Sequence, residues 1–133
     1  MKTYFILFSV FWCCLGGGDA NAQNHHVAKV DSINSLPFVF ITSNPETAEP
    51  LLMANSTLAD SIGYTLGAAR SHAQLGLVYN YLGKQDKRTE HILTSIRLYE
   101  EIDSMRLAGY QYTELGYGIK HRNLELAEEY MMK

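Results

Sequence analysis

Leu75-Gly76-Leu77-Val78-Tyr79 has an echo at Leu115-Gly116-Tyr117-Gly118-Ile119, 40 residues downstream. The match runs upstream of both blocks. Leu58, Ile62, Ala68, His72, Leu75 and Gly76 pair with Leu98, Ile102, Ala108, Tyr112, Leu115 and Gly116 at that same offset. Self-similarity at a fixed period of this length marks an array of helical repeats. Chance agreement between two Leu-rich amphipathic helices would explain a lone Leu-Gly, but not a whole ungapped register. Within each block the spacing is that of one helix face, i, i+3, i+7. His72, Leu75 and Tyr79 make the stripe in one copy, and Tyr112, Leu115 and Ile119 make it in the other. A glycine inside a helix costs up to about 1 kcal/mol relative to alanine. Its presence at the same place in both copies predicts a close helix approach where a Cβ would collide.

The block His72-x-x-Leu75-Gly76-x-x-Tyr79, with Gly83 seven residues after Gly76, resembles the first helix and turn of the tetratricopeptide repeat. That repeat usually has a period of 34 residues. The longer spacing here resembles a variant with extended helices found in bacterial signalling proteins. The resemblance covers about residues 45–133 and is strongest at 58–83 and 98–127. It implies an all-α fold, with antiparallel helix pairs stacked as a short α-solenoid. It also implies a concave face lined by the first helix of each pair. On this sequence the groove positions are Arg70, Ala73, Leu77 and Asn80 in one copy, and Tyr110, Thr113 and Tyr117 in the next. The ligand so implied is a protein or peptide held in extended or helical form. The chain departs from the pattern in four places. Pro50 falls inside a helix, Arg88 stands where alanine is usual, Asp103-Ser104 replaces Gly-Asp, and the turn at His121-Arg122 is one residue short. Arg88 predicts looser packing between paired helices.

Residues 1–22 read as a secretory signal peptide. Lys2 is the positive start, Tyr4 to Leu15 is an uncharged and mostly apolar run, and Gly16-Gly17-Gly18 should end any helix. Ala20-Asn21-Ala22 is a small–x–small cleavage box. The apolar run is too short for a membrane span, which needs about 20 residues. Phe11 and Trp12 are too bulky to precede a lipidated Cys13. Cleavage after Ala22 removes both cysteines, leaving a chain without disulfides or cysteine metal sites. It also takes Lys2 and Asp19, so the balance of 11 Lys+Arg and 14 Asp+Glu keeps its net charge of −3. That mild acidity argues against a nucleic-acid or anionic-membrane surface. The localisation expected is exported, periplasmic or secreted. Residues 23–44 are expected to hold a leader and a degenerate first helix, with Gln23 to Ser35 polar and flexible. Leu36 to Ile41, with Pro37 and β-branched and aromatic residues, fits either a helix or a short extended piece.

Helices are expected from Asn44-Pro45-Glu46, with Asn44 as cap, to Ile62; then at about 65–82, 86–102 and 105–120, and from near Asn123. Gly63-Tyr64, Gly83 and Asp103-Ser104 mark the stops. Pro50 should kink the first of these helices or delay its start.

No nucleophile elbow, phosphate loop, His-x-x-x-His pair or calcium loop is present, so no enzyme activity and no cofactor is expected. His25-His26 reads as solvated. His72, His91 and His121 are far apart in sequence and fall in different helices or turns. The function expected is an exported protein–protein interaction module. The alternative is the N-terminal sensor fragment of a signalling protein, a histidine kinase or helix-turn-helix regulator. Leu124, Ala127, Tyr130 and Met131 continue the apolar stripe in the last helix. The array is therefore expected to be incomplete at its C-terminus and to self-associate through that edge.

Overall fold

The computed structural model describes residues 17–133 except 121–122. Among the described residues the chain is all-helical, with no strand. The helices are α1 (Gly17–Asn34), α2 (Phe38–Ser43), α3 (Pro45–Ser61), α4 (Thr65–Tyr81), α5 (Gln85–Glu101), α6 (Met105–Ile119) and α7 (Leu124–Met131). From α3 onward each helix packs on the next, and α1 and α2 both lie against α3 and α4. Most of the stretch read as a signal peptide, residues 1–16, lies outside the described residues, as does the short turn at His121-Arg122.

Three turns set this architecture, and they are copies of one another. Ile62-Gly63-Tyr64, Leu82-Gly83-Lys84 and Ile102-Asp103-Ser104 are spaced 20 residues apart. The central residue of each is left-handed, with φ of 67°, 69° and 54° in Gly63, Gly83 and Asp103. The next amide reaches back across the helix end in each. Tyr64 N donates to Ala59 O at 2.8 Å, Lys84 N to Tyr79 O at 2.9 Å and Ser104 N to Tyr99 O at 2.8 Å. Gly63 N, Gly83 N and Asp103 N donate to the carbonyls of Asp60, Asn80 and Glu100. These paired bonds are the Schellman closure, which satisfies carbonyls the helix leaves open. The chain then re-enters a helix at once, so each turn is only three residues long.

The core is built from the apolar stripes. Val30, Ala59, Ala68, Ala69, Leu98, Tyr99 and Ala108 form one buried cluster; Ile41, Ala48, Leu52, Leu75, Val78 and Tyr79 form a second. Ile92, Ile96 and Leu115 form a third. Glycines set two of the closest approaches. A Cβ on Gly76 would lie 2.7 Å from Ile92 Cγ1, and one on Gly116 would lie 2.9 Å from Ala127 O. That is the collision read from the repeated glycine.

The region expected to be a flexible leader is different. Gln23 to Ser35 falls almost wholly in α1, which also runs through Gly17 and Gly18. Buried Val30 and a polar network hold it. Asn55 Nδ2 is within hydrogen-bond distance of Val30 O, Asn34 Oδ1 and Ser71 Oγ, at 3.0–3.1 Å. Asn34 Nδ2 donates to Gly67 O, and Gln74 Nε2 donates to Asn34 O. Buried polar groups that bond one another fix a docking geometry without hydrophobic periodicity. Leu36 to Ile41 is helical from Phe38, and Ile41 is its buried residue. Asn44 does not cap α3 through its side chain; its Nδ2 donates back to Phe40 O at 3.3 Å. Pro50 neither delays nor breaks α3. It is exposed, in the helix's second turn, where it removes a single bond.

Candidate binding groove

Spacing of i, i+3, i+4, i+7 puts Ala73, Gly76, Leu77 and Asn80 on one face of α4. Gln111, Glu114 and Gly118 share a face of α6 at i, i+3, i+7, with Tyr117 at its edge, three residues on from Glu114. These two faces border a cavity of about 630 Å³, with Arg88 and Ile92 of α5 also lining it. Gln74 and Phe38 of α2 complete the wall. Phe38 and Tyr117 are 60% and 54% exposed, so large apolar surfaces stand open beside it.

Arg88 is the unexpected member. It is only 5% exposed. Its Nη2 donates to the Glu114 carbonyl, near the C-terminal end of α6. A Cβ on Gly118 would fall on the guanidinium, so the side chain occupies the space that glycine leaves. Burial pushes its pKa down, and the Glu114 carboxylate opposes that shift. The negative end of the α6 dipole also favours the cation. None of the ion pairs among the described residues involves Arg88. The looser packing expected at Arg88 is not what forms. The side chain leaves the α4–α5 seam tight at Gly76 and fills the α5–α6 seam instead. Gln74 contributes a second polar group, because its Oε1 is buried without a hydrogen-bond partner among the described residues.

Of the groove positions inferred from the sequence, Ala73, Leu77, Asn80 and Tyr117 line this cavity. The other three lie elsewhere. Arg70 faces α1, where Nη1 is 3.6 Å from Asp31 Oδ1. Tyr110 is 60% exposed, with the Arg106 guanidinium 5.9 Å from its ring centre. Thr113 Oγ1 donates to Gly109 O within its own helix. Sequence reasoning missed Gln74, Gln111 and Glu114, which its register could have reached. It also missed Arg88, Ile92 and Phe38, which come from helices outside the motif.

Beside the groove, the α4–α5 seam holds a polar cluster. His72 Nδ1 and His91 Nδ1 are 2.8 Å apart. The Tyr79 ring lies nearly parallel to His91, with centres 5.1 Å apart. Tyr79 Oη donates to Glu49 Oε1 at 2.8 Å, and Lys84 Nζ is 3.6 Å from Glu49 Oε2. Burial and the Glu49 carboxylate push the Tyr79 hydroxyl up to about 12. The Tyr79 hydrogen bond holds Glu49 below its ordinary value. The sequence separated these histidines; the helix pairing joins them. Among the described residues no group of three His, Cys, Asp or Glu is placed to hold a metal, and no helix is long and apolar enough to cross a membrane. Comparison with family models, with curated proteins and with solved structures returns no match.

Proposed function

We propose that the chain is an exported protein–protein interaction module of tetratricopeptide type. In this reading the groove between α4 and α6 receives a peptide segment of a partner protein. The observation that carries it is the cavity's make-up: Leu77, Ile92 and Tyr117 supply apolar wall, and Arg88 supplies a buried cation that forms no close ion pair among the described residues and has only the Glu114 carboxylate at longer range to offset its burial. A buried charge is costly unless it is paired, so an acidic group on the peptide would complete it. The helix pairs with copied turns support a stacked repeat array, because each pair buries its apolar face against its neighbours. Export is supported by the cleavage box. Ala20, Asn21 and Ala22 are exposed, and the α1 residue buried in the core, Val30, lies beyond them.

Binding of an extended-peptide array by the full chain tests this reading. Leu77→Asp and Tyr117→Ala should each weaken binding of the selected peptides about tenfold or more, the effect of truncating a central contact. Arg88→Met should do so only for peptides carrying an acidic residue. Binding that is unchanged in all three variants would rule out the groove as the site.

A further inference from the structure

His72 and His91 face each other across the α4–α5 seam in a way that restricts how many protons they can hold. Their ring centres are 5.0 Å apart with planes tilted by 24°. The Nδ1 atoms are 2.8 Å apart. The centre separation is close to that short nitrogen distance plus the depth of both rings. The imidazoles therefore meet edge to edge, not face over face. The Nδ1 lone pair lies in its ring plane, so this contact is an N–H···N hydrogen bond. One ring carries its proton on Nδ1 and donates; the other carries it on Nε2 and accepts through Nδ1.

We infer that this pair is a shared-proton latch between α4 and α5, closed while it carries at most one extra proton and opened by a second. The first proton adds to the donor ring at its free Nε2. That ring becomes an imidazolium, and its Nδ1–H···Nδ1 bond becomes charge-assisted and stronger. A second proton has only the acceptor Nδ1 left. There it would set N–H against N–H and one cation against another, which the 2.8 Å contact cannot hold. The two steps are therefore split apart and belong to the pair, not to either ring.

The surroundings bear on this from every packed helix. Asp60 of α3 and Glu90 of α5 favour a charged His72, while Arg97 of α5 opposes it. Around His91, Glu90 and Glu49 of α3 favour charge and Lys87 opposes it. Glu49 is already engaged by the Tyr79 hydroxyl and Lys84. Burial is the largest influence on each imidazole and pushes both below the ordinary 6.5. The sign follows. The unfolded chain takes up both protons near that ordinary value, while the folded pair resists the second. Stability held by the latch is present above about 6.5 and is lost as pH falls through the second step. Opening would separate α4 from α5 beside Ala73 and Ile92, the residues next in sequence to the two histidines.

A nitrogen-detected histidine titration of the full chain tests the latch, combined with amide exchange over α4 and α5. In the wild type both rings should report two separated steps, and exchange along the seam should rise only through the lower one. His91→Gln keeps a hydrogen-bond partner for His72 but leaves a single titrating ring, so the lower step should vanish. The onset of acid opening should then move down by roughly one pH unit or more. His72→Gln should behave alike, and the wild-type titration decides the matter if either variant fails to fold. Independent single steps with a common midpoint would overturn the latch. So would seam exchange that ignores the second step, or glutamine variants that open at the wild-type pH.

Discussion

Gly76, Gly109 and Gly116 are all helical glycines, and at this scale they are not equivalent. A Cβ on Gly76 meets buried Ile92, and one on Gly116 meets the backbone of α7; one on Gly109 meets nothing within 4 Å. Gly109→Ala should therefore stabilise by about 0.5–1 kcal/mol, the ordinary helix-propensity gain. Gly76→Leu should cost on the order of 1–3 kcal/mol, because it overpacks a closed seam. Urea midpoints measure both, and a shared sign would remove the packing explanation. The sequence carried this distinction only through the repeat. Gly76 and Gly116 recur in register, Gly109 has Ala69 at its equivalent position, and Gly118 is explained only by Arg88. A second prediction concerns Asp103, the non-glycine residue at positive φ among the described residues. It occupies the place of Gly63 and Gly83 in the copied turn. Asp103→Gly should raise stability by about 0.5–1 kcal/mol by relieving left-handed strain. An unchanged thermal midpoint would show that the aspartate carries no strain there.

Helix boundaries were legible because each is closed locally, by three residues and their own hydrogen bonds. The α3–α4, α4–α5 and α5–α6 turns fall within a residue or so of where the sequence puts them. Helix α1 was not legible, because its docking rests on Asn34, Asn55 and Ser71 meeting from three helices, a pattern without period. The same applies to Arg88. Stepping back by the repeat from Arg88 and Gly118 gives Ala48 and Val78, which share one buried cluster. The α3–α4 seam thus uses a small and a medium residue where the α5–α6 seam uses a large one and none. This exchange predicts coupling. Gly118→Val alone should displace the guanidinium and destabilise by about 1–3 kcal/mol. Arg88→Ala alone should leave a void and destabilise too. The double variant should recover part of the loss, with a coupling of about 1–2 kcal/mol in a double-mutant cycle. Strict additivity would show that the two positions do not share this space.

Across the whole molecule the helices differ in how much covers them. Helices α4 and α5 are packed on both flanks, whereas α7 packs chiefly on α6 among the described residues. Helix α7 is eight residues long and buries only Ala127. An isolated helix of that length is marginal in water. Its holds are modest: the Asn123 cap on Leu126 N at 3.1 Å, the Tyr112–Tyr130 ring contact at 6.1 Å, and Met131 against Gly116. Local opening follows such differences in buried contact. Amide exchange in dilute protein should therefore be slowest in α4 and α5 and fastest in α7, with protection falling after Leu126. Leu124 on this helix and Met132 just after it stand 63% and 82% exposed, which leaves an apolar surface to cover. If copies of the chain associate through that surface, protection of residues 124–133 should rise with protein concentration while that of α4 stays level. Protection of α7 equal to that of α4 in dilute monomer would end the argument for a weakly held last helix. Protection independent of concentration would end the argument for association through it.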